Sequence, residues 1–107
     1  MSITKDKIRN ILKNAGIVPT KQRVSIANLL FSKHQHISAE QLRLQVNKIG
    51  KNISRATVYN TLSLFSEKEL LKKVVTETNH IFYDTNLSKH YHLYDMISEE
   101  LQDIDKS

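Results

Sequence analysis

Apolar residues recur at helical spacing over much of the chain, and the period then shortens to that of strands. In residues 2–15, Ile3, Ile8, Ile11 and Leu12 fall near one helical face, and Gly16 stops the run. Thr20 is positioned as the N-cap of a second helix from Lys21 to about Phe31, with Val24, Ala27, Leu30 and Phe31 on its buried stripe. The KHQHI stretch then breaks the pattern. Ser38 with Gln41 three residues on is a capping box, and it predicts a third helix that turns Leu42 and Val46 inward and ends near Gly50. After the short connection Lys51-Asn52-Ile53, Ser54 caps a fourth helix running to about Glu69, with Val58, Leu62 and Phe65 as its apolar side.

From there the spacing is that of strands. Leu71, Val74 and Val75 predict one strand, Glu77-Thr78-Asn79 a turn, and His80 to Tyr83 a returning strand. Helices followed by a two-stranded wing make a winged helix-turn-helix, mainly α with a β-wing, expected over residues 1–84. Beyond Asp84, TNLSK is a plausible linker. HYHLYDM and ELQDID both alternate as strands do, with Ser98-Glu99-Glu100 turning between them. A lone hairpin is marginal in water, so residues 85–107 are expected to need a partner subunit, a metal or further sequence.

Charge sharpens this division. Met1 to Lys73 holds 14 Lys and Arg against 4 acids, a balance of +10, whereas Val74 to Ser107 holds 2 Lys against 7 acids, a balance of −5. The basic part calls for a polyanion and the acidic part for a cation or another subunit, although solvated lysine surface is the bland reading. The absence of cysteine from the 107 residues excludes disulfides, thiolate zinc sites and cysteine nucleophiles, and points to the cytoplasm by default. No leader peptide or membrane span is expected, because the polar, basic start MSITKDKIRN lacks an apolar core.

The fourth helix is the segment expected in a DNA major groove, where recognition helices present their first residues to base edges. Ser54, Arg55, Thr57, Tyr59 and Asn60 carry hydrogen-bonding groups or a methyl for thymine. Lys21 and Arg23 at the start of the second helix, Lys51, and the wing residues Lys72 and Lys73 are placed to hold phosphates, which sets affinity and register rather than sequence choice. A capped surface helix with one apolar face would show much the same pattern.

A second chemistry is open to the histidines. His90 and His92 would share one face of a strand and could share one ion through neutral imidazoles. Asp84 at the end of the wing and His36 between the second and third helices could converge on them. Imidazoles with one or two carboxylates suit Zn, Fe(II) or Mn(II), and imidazole is also an ordinary axial ligand of haem. The plain alternative makes these histidines exposed strand residues and Asp84 a turn residue. His34 and His80 have weaker claims and read as surface.

GIVPTKQRVSIANLL, HISAEQL, SRATVYNTLSLF and YDTNLSKHYH, in that order from Gly16 to about Asp105, together resemble the ferric uptake regulator superfamily. The stretches LLFSKHQHISAEQL and YDTNLSKHYH resemble most its iron response regulator branch. The resemblance implies a dimeric winged-helix repressor or activator of iron homeostasis or a related stress, binding double-stranded DNA in response to metal, haem or oxidation. Arg23, Tyr59 and Asn60 fall where family members touch DNA. His36, Asp84, His90 and His92 fall on the family's regulatory metal site, and Asp103 on a ligand used in some branches. Asp95 and Ser98 stand where many members carry a CxxC pair, so no structural zinc on four cysteines is expected. Family chains normally continue with a further strand and helix, so residues 85–107 are expected to be the incomplete start of an α/β dimerisation and metal-sensing segment.

Two other functions compete. One is a winged-helix protein-interaction module, or a shortened family member that modulates full-length partners without touching DNA. The other is a small metallo-hydrolase, disfavoured because the chain has no HExxH motif or nucleophile elbow and only two glycines.

Overall fold

The computed structural model describes residues 4–85. Four helices and a small antiparallel sheet follow one another as α1 (Lys5–Asn14), α2 (Lys21–Leu30), β1 (His36–Ile37), α3 (Ala39–Lys48), α4 (Arg55–Glu67), β2 (Lys72–Val75) and β3 (Ile81–Asp84). Each helix starts where a hydroxyl side chain stands ready to cap it. Thr4, Thr20, Ser38 and Ser54 accept hydrogen bonds from the backbone N–H groups of Lys7, Arg23, Gln41 and Thr57. At α3 the capping box is complete, because the Ser38 N–H also donates to Gln41 Oε1 at 2.9 Å. Such caps are each worth about 1 kcal/mol.

Helices α1, α3 and α4 stop in one way. After α1 the Gly16 N–H donates to the Lys13 carbonyl and the Ile17 N–H to the Leu12 carbonyl, both at 2.9 Å, which is the Schellman arrangement. Gly16 has a φ of +80°, and Gly50, in the same place after α3, has +81°. After α4 that place is held by Glu69, with a φ of +64°. The turn nonetheless forms, because Leu70, which follows, is buried and donates to the Phe65 carbonyl at 2.8 Å.

The core gathers the apolar faces expected of each helix. Ile8, Ile11 and Leu12 of α1, Val24, Ala27 and Leu30 of α2, Leu42 and Val46 of α3, and Val58, Leu62 and Phe65 of α4 are all buried. The rings of Phe31 and Phe65 stack at 6.5 Å between centroids. Ile26 and Thr61 are buried as well, so α2 and α4 each contact the core over more than one stripe.

The sheet departs from the two-stranded wing expected. Its order is β1-β3-β2, with the wing hairpin β2–β3 extended by the two-residue strand His36–Ile37. Register pairs His36 with Asp84, Ile37 with Tyr83, and Lys73 with Tyr83 on the other side. The strand forms because Gln35 and Thr85 lock together one residue further out. The Gln35 N–H donates to Thr85 Oγ1 at 2.9 Å, and the Thr85 N–H donates to the Gln35 carbonyl at 3.1 Å. The Gln35 side-chain amide also donates to the Leu29 and Leu30 carbonyls at the end of α2, the first of which accepts from the Ser32 hydroxyl as well. At the tip of the wing the Asn79 N–H closes a turn onto the Thr76 carbonyl at 2.9 Å, and Asn79 takes the left-handed conformation with a φ of +62°.

Candidate nucleic-acid interface

The outward side of α4 carries the residues that the sequence marks for base reading. Val58, Thr61, Leu62 and Phe65 face the core, which leaves Ser54, Arg55, Tyr59, Asn60 and Ser63 exposed. Thr57 is half-buried and committed: its N–H bonds Ser54 Oγ at 3.2 Å, and its hydroxyl accepts from Ser54 Oγ at 2.9 Å. Its role in capping therefore accompanies any contact its methyl makes.

These residues divide between two sides of the helix. Thr57, Asn60 and Thr61 line a cleft of about 300 Å³ with Thr20, Gln22 and Arg23 from the start of α2. Arg23 Nη1 donates to the Val18 carbonyl at 2.9 Å, which fixes the guanidinium at the rim. Lys21 is exposed beside it on the same first turn. The cleft thus joins a helix N-terminus to a tethered guanidinium, a combination suited to a phosphate oxygen, and sets both beside the polar side chains of Thr57, Asn60 and Thr61.

Arg55 lies on the other side, toward α3. Its Nη2 is 3.6 Å from Glu40 Oε2, while Arg43 holds both oxygens of the same carboxylate. The Arg43 hydrogen bond, aided by the charge of Arg55, holds the Glu40 carboxyl below its ordinary range. Sequence reasoning missed this cluster. The spacing of Glu40 and Arg43 signals an i, i+3 pair, but nothing local links either to Arg55.

The two wing lysines, grouped by the sequence, separate. Successive strand residues leave opposite faces of a sheet. Lys73 shares a row with Tyr83 and Ile37, the face turned to the core, and Tyr83 lies near enough to Tyr59 of α4 for its charge to bear on the Tyr83 hydroxyl, whose pKa is raised chiefly by burial. Lys72 shares the opposite row with Asp84 and His36.

That second row holds the only part of the expected metal set that falls within the described residues. His36 Nε2 is 3.1 Å from Asp84 Oδ2, with the imidazole 72% and the carboxylate 18% exposed. His90, His92 and Asp103 lie outside the described residues. Among the described residues no group of three or more His, Cys, Asp or Glu gathers. The pair fits half a site. Ligand atoms about 2.0–2.2 Å from a tetrahedral ion stand about 3.3–3.6 Å apart, so the pair, here at the 3.1 Å of a direct imidazole–carboxylate contact, would open by a few tenths of an ångström to admit one. Of the weaker candidates, His34 is exposed, and His80 Nδ1 is 2.7 Å from Thr78 Oγ1 in the wing turn.

Helix-turn-helix, sheet and exposed α4 define a winged helix-turn-helix protein. Residues 14–107 match the Ferric uptake regulator family, and the chain belongs to that family. It is 34% identical over 82 residues to the peroxide-responsive repressor PerR of Staphylococcus aureus, a match covering 77% of this chain and 55% of the repressor. Its fold is similar to that of the ferric uptake regulator of Pseudomonas aeruginosa, solved with manganese, with a TM-score of 0.69 and 28% identity over 77% of this chain and 63% of that one. It is similar also to a zinc-bound manganese uptake regulator, with a TM-score of 0.67 and 26% identity over 78% and 64% of the two chains. The chain spans little more than half the length of the curated repressor it matches.

Proposed function

We propose that this chain carries the DNA-binding unit of a metal-responsive transcription regulator, not of an enzyme, with residues 1–84 as the winged helix and residues 85–107 as the start of a dimerisation and metal-sensing segment. The observation that carries this reading is the exposed face of α4, which presents Arg55, Tyr59 and Asn60 to the outside while its apolar side fills the core. In the proposed complex Ser54, Arg55, Thr57, Tyr59 and Asn60 meet base edges or the adjoining backbone. Lys21 and Arg23, in the first turn of α2, hold a phosphate, and Lys73 and Lys72 engage the backbone from the wing.

His36 and Asp84 supply two donors to a divalent ion, with His90, His92 and Asp103 completing the set. Bound there, Fe, Mn or Zn would tie the sheet to the segment that follows it. The described residues do the rest: Gln35 and Thr85 hold β1 against β3, and this keeps the imidazole beside the carboxylate. In a homodimer such a tie sets the spacing of two recognition helices against two half-sites. Differential affinity of the ion for the competent arrangement would then shift its population. The family and the relatives named above support a divalent ion. The iron response branch and haem rest on the LLFSKHQHISAEQL and YDTNLSKHYH stretches alone.

The test is a fluorescence anisotropy titration of the chain against randomised duplex pools, with and without Mn(II), Fe(II) and Zn(II), at several salt concentrations. Affinity should fall steeply with salt, and repeated selection should enrich a defined site. Lack of binding to any duplex in dilute buffer, with each ion supplied, would overturn the reading.

A further inference from the structure

A carboxylate of α3 that lies beside the start of the recognition helix α4 is the feature that a DNA-binding surface least explains. Glu40 sits in the first turn of α3, half-exposed, beside a helix otherwise turned toward a polyanion. Its two oxygens are held by Arg43, with Nε at 3.1 Å from Oε2 and Nη2 on Oε1. A bidentate pair of this kind fixes the direction of both partners. Arg55 approaches the same Oε2 at 3.6 Å, beyond hydrogen-bond range, with its side chain 66% exposed. One anion is thus firmly clamped by one cation and loosely steers a second. The steered cation is the first residue of α4, and Tyr59 lies one turn further on.

From this geometry we infer that Glu40 is a positioning residue for sequence choice: clamped by Arg43, it holds Arg55 off the phosphates and aims it along the base-facing side of α4. The inference rests on the proposed function. Without Glu40 the long Arg55 side chain would settle on the nearest phosphate, which any sequence offers. With it, the phosphate contact competes against a standing counter-charge, and a base edge in the right place becomes the better partner. Glu40 therefore weakens binding to DNA in general and sharpens the difference between sequences, a use of repulsion that specificity often needs. Arg43 has a different task, since both carboxylate oxygens already occupy it.

The test uses the whole chain with Mn(II) present. A site selected from a random duplex pool is compared with a scrambled duplex for the native chain, Glu40→Gln, Arg55→Ala and the double variant. Glu40→Gln should bind the scrambled duplex more tightly, with a salt dependence steeper by up to about 0.9 in log–log slope for the cation set free. Its preference for the selected site should fall about tenfold, the size of one good side-chain-to-base contact. In the Arg55→Ala background the same substitution should leave the preference unchanged, because the residue it positions is gone. Circular dichroism melts show whether each variant is folded, and Glu40→Asp, which keeps the charge but shortens its reach, should fall between native and Gln. An unchanged preference in Glu40→Gln, or a loss that persists without Arg55, would overturn the inference while leaving DNA binding intact. A native chain that binds no DNA would instead overturn the functional reading beneath it.

Discussion

His36 and Asp84 face each other across β1 and β3, with the imidazole Nε2 3.1 Å from the carboxylate Oδ2. The two residues are far apart in the chain and share no element. Their meeting follows from the next rung out, where Gln35 and Thr85 exchange backbone and hydroxyl hydrogen bonds. A potential ligand pair is thus held by residues that are not themselves ligands.

His36→Ala should therefore weaken Mn(II) or Zn(II) binding by at least about tenfold, and should abolish any gain in DNA affinity on adding metal. The exposed side chain makes little contribution to the core, so far-ultraviolet circular dichroism should stay native. Calorimetric titration of the variant with each ion checks this, and undiminished affinity would remove His36 from the site.

On DNA, residues on the two sides of α4 and on the wing should separate by kind of effect. Asn60→Ala should cost about 1–3 kcal/mol on a selected site and little on a scrambled one. Lys73→Ala should weaken both alike and lower the salt slope by about 0.9. Lys72→Ala should have the smaller effect of the two lysines, because its row carries Asp84. Anisotropy titrations at three salt concentrations distinguish these outcomes.

The left-handed residue after α4 is a local strain that can be relieved. Glu69→Gly, at a φ of +64°, should raise stability by about 0.5–1 kcal/mol, the left-handed penalty less the extra freedom that glycine has when unfolded. Gly16→Ala, at a φ of +80° with no atom within 4 Å of the added Cβ, should lower it by about 1 kcal/mol through backbone strain alone. Urea melts of both variants give the two signs.

Alkaline pH should loosen the fold through Tyr83. Burial, and then the charge of Tyr59, raise its hydroxyl above the ordinary 10.0. The folded protein thus holds this proton more tightly than the unfolded chain does. The resulting stability is complete below the ordinary value and is lost as pH rises through the folded one. Melts between about pH 8 and pH 11 should show a decline that Tyr83→Phe reduces. An identical decline in the variant would exclude Tyr83 as its source.

What the chain determined by itself is what depends on neighbours three or four residues away. Thr20, Ser38 and Ser54 cap because their hydroxyls reach an N–H three residues on, and the apolar faces of α2, α3 and α4 follow from the helical period. Residues of α4 turned outward were legible for the same reason, as the complement of Val58, Leu62 and Phe65. Tertiary structure alone decided the rest. Strand β1 has only two residues and no periodicity, and exists because Gln35 meets Thr85 across 50 positions of chain. The parting of Lys72 from Lys73, the cleft shared by Arg23 and Asn60, and the approach of Arg55 to Glu40 arise likewise where elements pack. Such contacts come from closing long loops over a common core, and no short window of sequence records which surfaces that closure brings together.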